Sequence, residues 1–410
     1  MVAARTISLA IDGIAAGGDG VGRSEGLVVF VPRTAPGDVV TATIAGKGHF
    51  ARGTLRSITR PSPVRIEPPC EHYRRERCGG CQIQHMTYES QLAAKQRMIA
   101  DAIRRIGKRD VEPPPITASP EEWRYRVKLT LAMRRRGDGW IAGLHPYDDP
   151  GRVFALADCP ITDRRVVTAW REILAASGFF PDVPALRGSV RWTAEGAVFT
   201  LEGARQWRWA HEFVDAVPSL AAVYWEPAEG ERRIVADRRS ERTPAASFAQ
   251  VNPAVASLLA AHVEREVMAY APTTAIDAYS GAGGLSETLA SCGVTATAIE
   301  LDADAARYAA GRLPAPSRSI AGRVEDVLAD VPQADVVVVN PPRAGLHERV
   351  PALLAREPLP RAIVYVSCDP ATLARDLARL PMFRIARLHA FDMFPQTAHV
   401  ETVCTLTPES

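Results

Sequence analysis

The sequence predicts an α/β protein: a doubly wound, mostly parallel sheet in the C-terminal part, preceded by a small N-terminal β-barrel and a β-rich middle. Three observations carry this prediction. From about residue 248, apolar strand runs alternate with helical stretches, the pattern of a sheet covered on both faces. Residues 1–58 break instead into short β segments at glycine turns, which suits a small barrel. Between 123 and 247 the runs are again β-like. The 410 residues, 47% hydrophobic and 23% charged, suit two or three domains, each with its own core.

In the N-terminal part the turns are Ala16-Gly17-Gly18-Asp19-Gly20 and Ala35-Pro36-Gly37-Asp38, with strands expected at Leu27–Val31 and Asp38–Ala45. Pro61-Ser62-Pro63 and Pro68-Pro69 read as a stiff linker. A helix is expected from about Tyr88 to Ile106, with Leu92, Ile99, Ile103 and Ile106 on its buried face. Gly107 ends it and Pro113-Pro114-Pro115 prevents its resumption. The β-rich middle shows runs at Lys128–Met133, Arg152–Ala155, Ser189–Trp192 and Ala197–Leu201. The C-terminal strands are expected at Ala275–Tyr279, Thr295–Ile299, Asp335–Val339 and Ala362–Ser367, with a helix over Leu285–Ala290. Domains are therefore expected at 1–58, 59–247 and 248–410, and the helix at 88–106 is a candidate to pack on the last of them.

Net charge is only +2, but residues 1–136 hold 23 Lys+Arg against 13 Asp+Glu, so this part carries +10 and the remainder −8. A basic front on an acidic body points to a polyanionic partner, nucleic acid first. Arg74, Arg75, Arg104, Arg105, Arg134, Arg135 and Arg136 are the candidate backbone contacts. No apolar run reaches the length of a membrane span, and Asp12 interrupts Ile7–Ala16 before a signal peptide could form. The chain reads as cytoplasmic, with no membrane role and no obligate protein partner evident.

Asp277-Ala278-Tyr279-Ser280-Gly281-Ala282-Gly283-Gly284 follows one predicted strand and precedes a helix, and Glu300 ends the next strand. Such a glycine turn lets backbone approach a ligand, and a carboxylate at that position can accept both ribose hydroxyls of a nucleoside. Within this domain the pattern favours S-adenosylmethionine (SAM) over a nicotinamide cofactor. Asn340-Pro341-Pro342-Arg343 follows the apolar strand Val336–Val339 and should face the glycine turn. Amine methyltransferases use a related loop with an aromatic in the fourth place, which Arg343 replaces here.

Cys368 stands at the end of a strand, before Asp369 as helix N-cap and Pro370 as first helical residue. That setting favours a nucleophilic thiolate, whereas Cys292 and Cys404 read as packing residues. Glu401, in Met393-Phe394-Pro395-Gln396-Thr397-Ala398-His399-Val400-Glu401, is the candidate base. Cys70, Cys78, Cys81 and Cys159 supply four thiolates and imply a metal, either tetrahedral zinc or an iron–sulfur cluster.

Taken together these segments resemble the class I RNA uracil-C5 methyltransferases, the family of bacterial 23S rRNA and tRNA 5-methyluridine enzymes. The resemblance spans nearly the whole chain. It rests on Cys78-Gly79-Gly80-Cys81-Gln82-Ile83-Gln84-His85, Phe248-x-Gln250-x-Asn252, the glycine turn, Asn340-Pro341-Pro342-Arg343-Ala344-Gly345, Val366-Ser367-Cys368-Asp369-Pro370-Ala371-Thr372-Leu373-Ala374-Arg375-Asp376 and the Met393–Thr402 run, in that order. Residues 1–58 are similar to the TRAM barrel, an OB-like RNA-binding module.

The resemblance implies a Rossmann-like methyltransferase domain and a 4Fe-4S cluster on Cys70, Cys78, Cys81 and Cys159. It implies Cys368 as nucleophile, Glu401 as base, and SAM contacts at Gln250, Tyr279, Gly281, Gly283, Gly284, Glu300, Asp326 and Asn340. Three departures stand out: the gap between Cys70 and Cys78 is longer than usual, Ser280 replaces a cysteine, and Asn340 replaces the commoner aspartate. The TRAM-like barrel favours 23S rRNA over tRNA, because the typical bacterial tRNA enzyme of the family lacks it. The alternatives are a tRNA uracil-C5 enzyme, amine methylation through the Asn-Pro-Pro loop, and a non-catalytic factor that binds SAM and RNA.

Overall fold

The computed structural model describes residues 5–45, 50–240 and 250–409. Phe248 and the expected boundary between 247 and 248 lie outside them. Strands Arg5–Ile14, Gly20–Ser24, Leu27–Val31, Phe50–Arg60 and Val39–Ala45 close, in that spatial order, into a barrel. Alternate residues point inward, so Leu9, Ile11, Val29, Val31, Val40, Ala42 and Ile44 form its core.

The middle is a seven-stranded sheet in the order Arg233–Asp237, Leu220–Glu226, Gly196–Glu202, Ala185–Thr193, Lys128–Arg136, Gly139–Leu144, Phe154–Ala155. Helices Arg164–Ala175 and Ala210–Ala216 cover one face, burying Trp170, Phe199 and Phe213 against Leu131 and Met133. The expected β runs at Lys128–Met133, Ser189–Trp192 and Ala197–Leu201 are present, while of Arg152–Ala155 only Phe154–Ala155 is a strand. The two helices and the strands at 139–144, 220–226 and 233–237 were not anticipated.

The C-terminal sheet has eight strands in the order Arg318–Ala321, Thr295–Glu300, Thr274–Ala278, Val336–Val339, Ala362–Ser367, Glu401–Pro408, Phe383–Phe391, Ile116–Thr117. The first five are parallel; Glu401–Pro408 runs antiparallel to both its neighbours. Its central strands are buried on both faces, which is why they read as unbroken apolar runs such as Val336–Val339. The first expected strand stops one residue early because Tyr279 takes a left-handed φ of 63° and opens the glycine turn.

Two elements from the middle of the chain complete this unit. Ile116–Thr117 pairs in parallel with Phe383–Phe391 as the edge strand. Helix Tyr88–Arg105 lays Ile99 and Ile103 on the same core as Leu373 and Leu377. Its buried face differs from the expected one: Ile106 is 43% exposed and Leu92 only partly covered, while Gln91 and Lys95 are buried. The helix turns polar residues inward because each has a partner in the loop Asp392–Val400. The Lys95 ammonium pairs with Asp392, both side chains fully buried, and donates to the Phe394 carbonyl at 3.0 Å. Gly107 follows the helix where a Cβ would lie 3.1 Å from the Ala374 carbonyl oxygen, so the close approach of helix Pro370–Ala378 requires glycine.

Replacing one member of a buried pair strands the other charge, at a cost of about 3–5 kcal/mol. Lys95→Met is therefore expected to lower unfolding stability by about that amount in urea titration, and Lys95→Met/Asp392→Asn to recover a large part of it.

Candidate active site

The carboxyl ends of the parallel strands open onto one crevice, where a doubly wound sheet holds its ligand. The glycine turn leaves strand Thr274–Ala278 there. The Gly281 amide donates to Glu300 Oε2 at 2.8 Å, and Glu300 Oε1 accepts from Asp302 at 2.8 Å. At Gly281 and Gly284 a Cβ would meet nothing within 4 Å, so both look onto open space. Gly283 serves packing instead: its φ is +79° and a Cβ there would lie 2.6 Å from that of Ala309. Beneath the turn Asp277 is buried, accepts from the Ser286 hydroxyl at 2.8 Å, and is pushed up to about 6 by desolvation. Tyr279 is pushed up to about 12 by burial and by the nearby Glu325 carboxylate.

Other expected cofactor contacts fall as follows. The Asn340 amide donates to the Ala278 carbonyl at 3.2 Å, bringing the Asn-Pro-Pro loop against the glycine turn. Gln250 Oε1 is buried without a partner among the described residues. Asp326 is exposed and ion-paired to Arg349 at 2.9 Å, while its neighbour Glu325 is buried and close enough to act on Tyr279. The Gln250 amide oxygen and the Glu300 carboxylate beside the open turn are acceptors of the kind that the amine and ribose hydroxyls of a nucleoside can donate to.

The Asn-Pro-Pro-Arg loop is bolted to helix Pro370–Ala378 through Asp376, whose side chain is fully buried. Asp376 Oδ2 accepts from the Leu346 amide and the Tyr365 hydroxyl, each at 2.8 Å. Arg375 donates to Asp376 at 2.8 Å and to the Ala344 carbonyl at 2.7 Å, and Thr372 Oγ1 donates to the Arg343 carbonyl at 3.2 Å. Gly345, at φ +79°, has no room for a Cβ beside Thr372, Arg375 and Asp376. This explains the Thr372, Arg375 and Asp376 pattern: those residues hold the loop and so the position of Arg343.

Cys368 and Glu401 come together through strand register. Ser367 pairs with Thr402 in antiparallel strands, so the residue after the first lies opposite the residue before the second. Asp369 caps the following helix by accepting from Thr372 at 2.8 Å, with Pro370 in its first turn, as expected. Burial and the Glu401 carboxylate push Cys368 up, and Arg343 only partly opposes them. Glu401, 3% exposed, is pushed up to about 7 by desolvation, again opposed by Arg343. The helix N-terminus is thus outweighed by the loss of water around the thiol.

Sequence reasoning missed that Arg343 faces both groups, and the signal was its place where amine methyltransferases carry an aromatic. It also missed His399, which burial and the cations Arg343, Lys95 and Arg126 push down to about 4, so that it stays a neutral imidazole.

Cys70, Cys78, Cys81 and Cys159 line one cavity of about 180 Å³, with Tyr73, Leu129 and Ile161 among its walls. Cys70 precedes the short helix Glu71–Arg75, which takes up the extra length before Cys78. Among the described residues no three His, Cys, Asp or Glu side chains are arranged to hold a single metal ion. Burial pushes Cys78 up to about 12 and raises Cys81 and Cys159, with neighbouring thiols adding to each shift. Four thiols lining one cavity are soft donors of the kind that hold zinc or an iron–sulfur cluster.

Of the seven arginines expected at a nucleic acid, five are ion-paired at the surface: Arg74 with Glu67, Arg75 with Glu71, Arg104 and Arg105 with Asp101, and Arg135 with Asp182. Such exposed pairs are weak and exchange readily for phosphate. No described helix is long and apolar enough to cross a membrane.

Comparison with known proteins gives three findings. The family described as tRNA (Uracil-5-)-methyltransferase matches residues 316–408. An uncharacterized RNA methyltransferase of Gloeobacter violaceus is 34% identical over 98% of this chain and 96% of its own length; one of Thermosynechococcus vestitus is 31% identical over 98% of each. Among solved structures, the Pyrococcus abyssi tRNA (uracil-54, C5)-methyltransferase with S-adenosyl-L-homocysteine is similar in fold. It covers 97% of this chain and 99% of its own at a TM-score of 0.72 and 24% identity.

Because Glu401 sits near 7 in the folded chain against about 4.5 in an unfolded one, folding favours its protonated form. Its stabilising contribution is complete below the unfolded value and is lost as pH rises through the folded one. Glu401→Gln is expected to raise unfolding stability by up to about 3 kcal/mol at pH 8 and by much less at pH 5, read from denaturant titrations at both.

Proposed function

The chain belongs to the SAM-dependent RNA uracil-C5 methyltransferase family, and on that premise we propose that it forms 5-methyluridine in 23S rRNA with Cys368 as nucleophile and Glu401 as base. The observation that carries this reading is the convergence of Cys368, Glu401 and Arg343 at one end of two paired strands.

Uracil C5 is too weak a nucleophile to accept a methyl group unaided. Addition of the Cys368 thiolate to C6 forms the S–C6 bond and moves the ring electrons toward C5 and O4, which makes C5 nucleophilic. SAM supplies an electrophilic methyl sulfonium. Once C5 carries the methyl, Glu401 takes the C5 proton; the C5=C6 double bond re-forms and the thiolate leaves. Arg343 favours both anions the sequence of steps needs, against the burial that opposes each. The uridine must leave its stack to reach Cys368. Gln250, Tyr279, Gly281, Gly283, Gly284, Glu300, Asp326 and Asn340 are assigned to the SAM side of the crevice. Gly283 serves there by shaping the turn, and Asp326 must first give up Arg349.

We assign a 4Fe-4S cluster to Cys70, Cys78, Cys81 and Cys159, supported by the shared cavity. Its contribution there is to tie three separate segments of the chain. We further assign residues 1–58 to RNA binding, 59–247 to the cluster-bearing domain and 248–410 to methyl transfer. The tRNA reading stays open on one observation: the Pyrococcus abyssi tRNA enzyme covers 97% of this chain, a span too long to omit the barrel.

Two measurements test this. Labelled SAM with unmodified 23S rRNA and tRNA is expected to give 5-methyluridine in the rRNA, at a rate rising with pH through about 7, and none with Cys368→Ala. Product in tRNA alone moves the substrate; a methylated amine that survives Cys368→Ala overturns the chemistry. Anaerobically purified protein is expected to hold iron and acid-labile sulfide, lost with a lower melting temperature in Cys159→Ser; zinc without sulfide would overturn the cluster.

A further inference from the structure

Between strands Phe383–Phe391 and Glu401–Pro408 the chain crosses the interior without repetitive structure. Asp392, Met393, Pro395, Gln396, Thr397, Ala398 and Val400 are all buried. A buried loop must find partners for its backbone polar groups. This one finds them in segments synthesised some 300 residues earlier.

The Ile83 amide donates to the Gln396 carbonyl at 3.2 Å. Gln82 Oε1 accepts from the Ala398 amide at 3.2 Å, while its Nε2 donates to the Gly79 carbonyl at 2.9 Å. Gln91 makes a reciprocal pair: its Nε2 donates to Gln396 Oε1 and its Oε1 accepts from the Gln396 amide, each at 2.9 Å. Tyr125 donates to the Pro395 carbonyl at 2.9 Å. Gln396 itself takes φ +70°, a left-handed backbone that a non-glycine residue holds only where its surroundings enforce it.

At the far end of this loop Glu401 has no side-chain hydrogen bond among the described residues. Its carboxylate is aimed by the path of its own backbone. That path is set by strand pairing at Glu401 itself, opposite Phe391, and at Thr402, opposite Ser367, and upstream of the strand by the Gln82 and Gln91 contacts that fix where the loop enters it. Gln82 directly follows Cys81, so the cysteine-bearing segment and the base loop share one anchor.

We propose that Gln82 and Gln91 are positioning residues for the base: they hold the loop 392–400 so that Glu401 faces Cys368, and they thereby govern release of the methylated uridine rather than its capture. The proposal rests on Glu401 acting as the base. Capture needs only the Cys368 thiolate and C6. Release needs the C5 proton to pass to Glu401 before the S–C6 bond breaks, and a base displaced by a fraction of an ångström slows that step, whereas moving the carboxylate away from Cys368 removes an influence that opposes the thiolate and so does not hinder capture.

The test separates the two steps. Gln82→Met and Gln91→Met keep side-chain length and remove the hydrogen bonds; both are compared with wild type, Glu401→Gln and Cys368→Ala. Labelled in vitro transcripts of 23S rRNA and tRNA are mixed with enzyme and SAM, quenched at intervals, and run on denaturing gels that resolve the covalent RNA–protein adduct. Melting temperature is followed in parallel.

Adduct is expected to form within about threefold of the wild-type rate in both variants. Its release is expected to slow by about ten- to a hundredfold, at or below the lower end of the 10²–10⁴ ascribed to a lost general base because the base is displaced and not removed, so that adduct accumulates. Formation and release falling in proportion, or a lowered melting temperature with wild-type partition between the steps, would overturn the proposal. If Gln82→Met does not fold, Gln91→Met carries the same expectation. If Glu401→Gln accumulates adduct and neither glutamine variant does, the positioning role alone falls. If Glu401→Gln releases product at the wild-type rate, the base assignment falls and this proposal with it.

Discussion

A backbone that crosses a protein interior without helix or strand must have its amides and carbonyls satisfied by something else. The loop Asp392–Val400 imposes that constraint here, and much of the architecture answers it. Helix Tyr88–Arg105 turns Gln91 and Lys95 inward, the cysteine-bearing segment offers Gln82 and Ile83, and the central part sends Tyr125. The barrel closes the outer side: a Cβ at Gly18 would overlap Gln82 and lie 3.2 Å from that of Ala398. Ala35 of the barrel joins Ile83, Met98 and Ala398 in one small core.

The proposed nucleophile and base show the complementary trade. Burial that excludes water from Cys368 and Glu401 also disfavours the charged form of each. Arg343 compensates in part, and it is held in place by a network centred on Asp376 rather than by any contact with the pair. The site is accordingly a place where stability is given up, consistent with a fold whose strongest local packing lies elsewhere.

Sequence patterning made the parallel strands legible because they are buried on both faces, leaving runs such as Val336–Val339 unbroken. The barrel was legible from its glycine turns. The strand Arg318–Ala321 was not, because it is only four residues long, has Ile320 as its one large apolar side chain, and sits at the sheet edge. The helix face was misjudged for a related reason. Periodicity assigns Leu92 and Ile106 to the core and Gln91 and Lys95 to solvent, and only partners some 300 positions away reverse that. Cys368 and Glu401 could be singled out by residue type and setting. Arg343, His399 and Glu325 could not, because their relevance is a matter of which side chains face which across the crevice.

The two glutamines that clasp each other, Gln91 and Gln396, lie 305 residues apart. During synthesis at about 5–20 residues per second, the first waits roughly 15–60 s for the second to leave the ribosome. Through much of that interval Ile99 and Ile103 wait for a core built from residues 276–406. The barrel and the central sheet can close early, yet the catalytic unit cannot. The nascent chain therefore carries this amphipathic helix with its buried polar residues unmatched until the loop 392–400 has been made.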